Sequence, residues 1–126
     1  MIKSILFIDD DPDDLDFFRE SVSKINPYHE CLTSLNGQEA LEQLRKEKIK
    51  PHFIFLDLNM PRFSGQEFLR QIKQISTLAY IPIIILSTSR LSKELLEVYL
   101  MGAHSFIQKP NSTHELTQSI KKIIET

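Results

Sequence analysis

Residues 53–61 read Phe53-Ile54-Phe55-Leu56-Asp57-Leu58-Asn59-Met60-Pro61. The strand predicted over 52–56 offers apolar side chains to both faces, as a central strand of a parallel sheet must when helices cover both sides. It stops at a carboxylate, Asp57. Three other short apolar runs stop in the same way. Ile5-Leu6-Phe7-Ile8 ends at Asp9-Asp10, Ile83-Ile84-Ile85-Leu86 at Ser87-Thr88, and Phe106-Ile107, after Gln108, at Lys109-Pro110. If these runs are parallel strands of one open sheet, their carboxyl ends share the edge where α/β folds bind ligands. That edge would hold three carboxylates, a hydroxyl and an ammonium, a set suited to a hard divalent cation and a phosphoryl group.

Helical patterns lie between the runs. Asp11-Pro12 opens the first, with Asp as cap and Pro in its first turn, and Leu15, Phe18, Val22 and Ile25 recur at helical spacing until Asn26-Pro27. Glu30 to Ser34 reads as a short strand. Asn36-Gly37-Gln38-Glu39 and Ser64-Gly65-Gln66-Glu67 each open a helix with Glu three residues after the cap, the second ahead of Phe68, Leu69, Ile72 and Ile75. Pro82 stands at the first position of its strand, where proline is tolerated. A fourth helix over about 91–101 ends at Gly102, a candidate left-handed C′ position. A fifth strand is expected over 104–108, then a helix capped by Ser112 with Leu116, Ile120 and Ile123 facing inward. Five β-α units in succession predict right-handed crossovers and a doubly wound parallel sheet with helices on both faces.

The bulk properties exclude several classes. The 126 residues fit one compact domain, and 41% hydrophobic with 25% charged content argues against disorder. A net charge of −2 without a Lys/Arg block gives no support to nucleic-acid binding. A single cysteine, Cys31, excludes an internal disulfide and a thiolate metal site, and reads as a small buried hydrophobe near a strand. The apolar run near the N-terminus is too short for a secretory core or a membrane span, so a soluble cytoplasmic protein is expected. His29, His52, His104 and His114 are scattered and read as structural or exposed, not as ligands.

The acids of Asp9-Asp10-Asp11-Pro12-Asp13-Asp14 divide by position. Asp13 and Asp14 suit the positive end of a helix dipole. Asp9 and Asp10 stand before the cap at a strand end and read as site residues. Crowded carboxylates repel, and each pKa would rise without a cation. Oxygen donors without His or Cys suit Mg²⁺.

Phe7-Ile8-Asp9-Asp10, Leu56-Asp57-Leu58-Asn59-Met60-Pro61, Ser87-Thr88 and Lys109-Pro110 together resemble the receiver domain of two-component response regulators, in order and over essentially the whole chain. The resemblance implies one receiver domain over 1–126 without an output domain, and a flavodoxin-like strand order of 2-1-3-4-5. It implies that Asp57 is the phosphoacceptor, taking its phosphoryl group from a sensor histidine kinase or phosphotransfer protein. Asp10, Asp57 and the backbone carbonyl of Asn59 would hold Mg²⁺, with Asp9 assisting through water. Lys109 and Ser87 would bind phosphoryl oxygens, Ser87 standing where Thr is commoner. Phe106 occupies the aromatic switch position, where it either rotates or only packs. A cis Lys109–Pro110 bond is expected on the family pattern. Ser87-Thr88-Ser89, Glu97-Val98-Tyr99 and Gly102 to Phe106 are similar to stand-alone receivers found beside bacterial phytochrome kinases. The face over residues 90–125, including Arg90, Tyr99 and Phe106, would contact a downstream protein.

Two other classes compete. A haloacid-dehalogenase-type phosphatase needs an acid-base Asp two residues after its nucleophile, but Asn59 stands there and cannot transfer that proton. A flavodoxin-like FMN binder needs a phosphate-binding loop after the first strand, where this chain is acidic. The expectation is a switch and not an enzyme, with Mg²⁺-dependent self-phosphorylation and self-dephosphorylation its only chemistry, acting without nucleic acid or membrane.

Overall fold

A computed structural model describes residues 1–88 and 92–125. Strands β1 (Ser4–Ile8), β2 (Glu30–Ser34), β3 (Phe53–Asp57), β4 (Ile83–Ser87) and β5 (Ser105–Gln108) alternate with helices α1 (Pro12–Ile25), α2 (Gly37–Arg45), α3 (Gly65–Lys73), α4 (Ser92–Leu100) and α5 (Thr113–Ile124). The strands form one sheet in the order β2-β1-β3-β4-β5, all neighbours parallel. This is the doubly wound, flavodoxin-like arrangement expected. The expected start of the fourth helix at residue 91, and Arg90 on the proposed contact face, lie outside the described residues.

Alternation along each strand divides the core between two faces. Leu6, Ile8, Ile54, Leu56, Ile83 and Ile85 pack on one face with Leu41 and Leu44 of α2, Phe68, Leu69 and Ile72 of α3, and Val98 of α4. Ile5, Phe7, Phe55, Ile84, Leu86 and Ile107 pack on the other with Leu15, Phe18 and Val22 of α1 and Ile120 and Ile124 of α5. Phe18 is fully buried and stacks on Phe7 at 4.1 Å between ring centroids, with Phe55 at 5.2 Å. Each such ring contributes about 1.5–3 kcal/mol by leaving water, which pins α1 over β1 and β3.

The caps stand where expected. Asp11, Asn36, Ser64 and Ser112 accept hydrogen bonds from backbone N–H groups of the first turns of α1, α2, α3 and α5. α4 ends in a Schellman turn: Gly102 N–H donates to the Tyr99 carbonyl and Ala103 N–H to that of Val98, with Gly102 at φ +102°. The inward stripe of α5 contains the expected Leu116, Ile120 and Ile123 and is wider than expected. Thr117, Ile120 and Ile124 are buried, while Leu116 and Ile123 are only partly so. The Thr117 hydroxyl can be buried because it donates to the Thr113 carbonyl at 2.7 Å, satisfying itself within the helix. Ile75 packs as expected, but from beyond the end of α3.

Candidate functional site

Register brings the carboxyl ends of β1, β3, β4 and β5 to one edge. Ile8 pairs with Leu56, so Asp9 stands beside Asp57, the last residue of β3. Asp57 pairs with Leu86, and Ser87 with Gln108, which places Ser87 and Lys109 on the far side. Lys109 N–H donates to the Ser87 carbonyl at 2.8 Å.

Three carboxylates meet there. Asp9, Asp10 and Asp57 each place an oxygen within 4.8 Å of the others. Asp9 is fully buried, Asp57 nearly so, and Asp10 is exposed. Asp9 Oδ1 accepts the Asp11 N–H at 3.0 Å, and Asp57 Oδ1 accepts the Asn59 N–H at 3.3 Å. The Lys109 ammonium lies 2.9 Å from Asp9 Oδ2, 2.9 Å from Asp14 Oδ2 and 3.4 Å from Asp57 Oδ1. Asn59 is exposed and turns its side-chain amide toward the buried Ser87 hydroxyl, 3.5 Å away.

The electrostatics follow from burial. Desolvation pushes Asp9 up to about 7, outweighing the Asp11 amide and the Lys109 ammonium that favour its charged form. Burial opposes the Lys109 charge, yet hydrogen bonds to Asp14 and Asp9 hold it above the ordinary lysine range. Asp14 pays a desolvation cost as well, but Lys109 and Asp9 hold it below the usual carboxylate value. One ammonium faces four carboxylates counting Asp10, so the edge carries excess negative charge. An oxygen-only donor set of this kind fits a hard divalent cation.

The structure corrects two expectations. Asp14 is not merely a helix-dipole acid, because the first turn of α1 swings its carboxylate onto Lys109. The only signal for this in the sequence was its place in the first turn, which Asp13 shares. The Lys109–Pro110 bond is trans, since no cis peptide occurs among the described residues; trans is the intrinsically preferred X–Pro isomer by about 0.5–1 kcal/mol. Phe106 is partly buried against the core face shared with Leu56 and Ile85.

The family model of the response regulator receiver domain matches residues 5–121. The chain belongs to that family. It is 35% identical over 91 residues to the probable transcriptional regulator ycf29 of Porphyra purpurea, covering 72% of this chain and 43% of ycf29. The chain therefore spans less than half the length of that relative. It is 27% identical over 126 residues to the response regulator Rcp1 of Synechocystis sp., covering 96% of this chain and 86% of Rcp1. The crystal structure of the phosphorylated cyanobacterial phytochrome response regulator RcpA superposes with a TM-score of 0.89 at 32% identity, over 99% of this chain and 93% of RcpA. The Mn²⁺-bound form of Rcp1 superposes with a TM-score of 0.84 at 27% identity, over 96% of this chain and 93% of Rcp1. Membership of the receiver family carries a phosphoacceptor role in two-component signalling, and receivers interact with histidine kinases or phosphotransfer proteins. No helix among the described residues of this receiver is long and apolar enough to cross a membrane.

Proposed function

We propose that this receiver takes a phosphoryl group from a phosphohistidine onto Asp57 in a Mg²⁺-dependent reaction, and signals through protein contact or passes the group on. The observation that carries the proposal is the convergence of Asp9, Asp10 and Asp57 within 4.8 Å, with Lys109 3.4 Å from Asp57. An Asp57 carboxylate oxygen attacks phosphorus, the P–N bond to histidine breaks, and the imidazole leaves with the bonding pair. Lys109 directs an N–H toward one phosphoryl oxygen, and the Ser87 hydroxyl donates to another. Asp10, Asp57 and the Asn59 backbone carbonyl would hold Mg²⁺, with Asp9 assisting through water. Bound there, the ion would supply charge neutralisation on the remaining phosphoryl oxygens. The chain acts on no separate substrate; its chemistry is its own phosphorylation and dephosphorylation.

The face of α4, β5 and α5 transmits the change. Leu96, Tyr99 and Leu100 of α4 are exposed there, and Ser87 moving toward phosphate opens space for the Phe106 ring. Similarity to the phytochrome response regulator RcpA supports a phytochrome-type histidine kinase as the upstream partner. Incubation with acetyl phosphate, with and without Mg²⁺, should add one phosphoryl mass to Asp57 only when the metal is present. Asp57→Asn should abolish labelling and keep the fold. Labelling of that variant at the wild-type rate would sink the assignment.

A further inference from the structure

The Lys109 ammonium has three N–H donors and three carboxylates around it. The contacts to Asp9 and Asp14 are short, and the one to the proposed phosphoacceptor Asp57 is the longest. The two short partners are not equivalent. The Asp9 side chain is 1% exposed, and the Asp14 side chain is 33% exposed. A buried carboxylate that loses its cation has no water to replace it, whereas a half-exposed one is rehydrated at small cost. Asp14 also lines a cleft between α1 and α5, with Phe7, Phe17, Lys109, Pro110 and Leu116. When phosphoryl oxygens on Asp57 draw the Lys109 ammonium away from its resting position, Asp14 is the carboxylate it leaves at the smaller cost.

We propose that Asp14 is a positioning residue that holds Lys109 in the resting arrangement and competes with the phosphoryl group for one of its donors. This rests on the phosphoacceptor reading above and deepens it. An Asp14–Lys109 contact given up in that shift stabilises the unphosphorylated state alone. An interaction made in only one of two states shifts the balance toward it. Removing it should favour the phosphorylated arrangement.

The neighbouring Asp13 supplies the control. It lies in the same turn, complements the same helix dipole and makes no contact with Lys109. Beryllofluoride binding in the presence of Mg²⁺, followed by calorimetry on the 126-residue chain, should tighten about three- to tenfold in Asp14→Asn and Asp14→Ala. Asp14→Glu, which keeps the charge, should stay near wild type, and Asp13→Asn should not change. Affinity unchanged or weakened in Asp14→Asn, or tightened equally in Asp13→Asn, would overturn the proposal. A second readout needs no phosphate mimic. In the unliganded protein, the Lys109 ammonium protons should exchange with solvent faster in Asp14→Asn than in wild type, by NMR. Unchanged exchange would also overturn it. Wild-type protein that fails to bind beryllofluoride would instead overturn the phosphoacceptor reading and the competition with it, while proton exchange would still report whether Asp14 holds Lys109.

Discussion

At the carboxyl edge of the sheet, Asp9, Asp57 and Lys109 are buried against one another beneath an exposed Asp10. At the amino edge the ends of β1, β2 and β3 are closed by imidazole rings. Lys3 N–H donates to His29 Nδ1 at 3.0 Å and Ser4 N–H to His52 Nδ1 at 2.9 Å. The Lys3 ammonium turns to the Ile124 carbonyl at the end of α5. At these strand ends backbone N–H groups find ring acceptors, and a backbone carbonyl finds an ammonium. The carboxyl edge keeps unmatched negative charge beside Asp57. One edge closes the fold; the other holds it ready for a ligand.

The largest test of that contrast is steric. A Cβ at Gly65 would lie 2.7 Å from the Asp57 carbonyl oxygen and 2.8 Å from Leu58 Cα, both backbone atoms that cannot yield. Gly65→Ala should cost about 2–3 kcal/mol in urea denaturation, and should slow labelling by acetyl phosphate because α3 must lift from the end of β3. A Cβ at Gly102, at the amino edge, meets only the flexible Lys73 side chain, 3.0 Å away, and its strain would come from φ +102° and not from a backbone clash. Near-wild-type stability in Gly65→Ala would show the carboxyl edge to be no tighter than the amino edge.

Acid should act on the two edges with opposite sign. The folded-state pKa of Asp9 is raised from 3.8 to about 7. Its contribution to stability is therefore present in full below about pH 4 and lost as pH rises through about 7. In metal-free protein this amounts to about 1–2 kcal/mol across the window once coupling to Lys109 is discounted. Thermal midpoints of wild type and Asp9→Asn over that range, with and without Mg²⁺, check it. A metal-free slope identical in the two proteins would remove Asp9 as its source.

His29 should behave in reverse. Burial, then the Lys3 and α-amino charges, hold its pKa below 6.5, with Glu125 opposing them. As pH falls below about 6.5, the unfolded chain binds the proton first, so stability falls with acid. His29→Ala should cost about 1 kcal/mol near neutral pH by loss of the Lys3 N–H acceptor, and should flatten this part of the profile. A variant as stable as wild type would mean that water replaces the ring.

The smallest effect concerns two helix ends at the amino edge. α2 closes as α4 does, with Glu47 N–H donating to Leu44 and Lys48 N–H to Gln43, but Glu47 adopts φ 57° where α4 uses Gly102. A non-glycine residue in that region is strained. Glu47→Gly should gain about 0.5–1 kcal/mol in chemical denaturation; a loss would show that the Glu47 side chain contributes more than its backbone strain costs.

Much of the carboxyl edge was legible because each site residue ends or follows an apolar run, and a parallel sheet sends all such ends one way. Asp9, Asp57, Ser87 and Lys109 needed no tertiary knowledge beyond that. Cys31 also behaved as read: it is half-buried in β2, and burial pushes its thiol up to about 11. His29 and His52 accept from Lys3 and Ser4, 26 and 48 residues away along the chain, a pairing that local periodicity does not reveal.

The sequence by itself determined the alternation of strand and helix, the caps, and the set of groups at the functional edge, because these depend on local periodicity and on where polar residues interrupt it. Tertiary structure alone decided which carboxylate does what. Asp13 and Asp14 are adjacent in sequence and alike in chemistry, but a helix turns successive residues through about 100°, so one carboxylate points to solvent and the other reaches Lys109, 95 residues away. Packing of α1 through Phe18 sets that rotation, and it sets which acids are dry enough for their charge to matter.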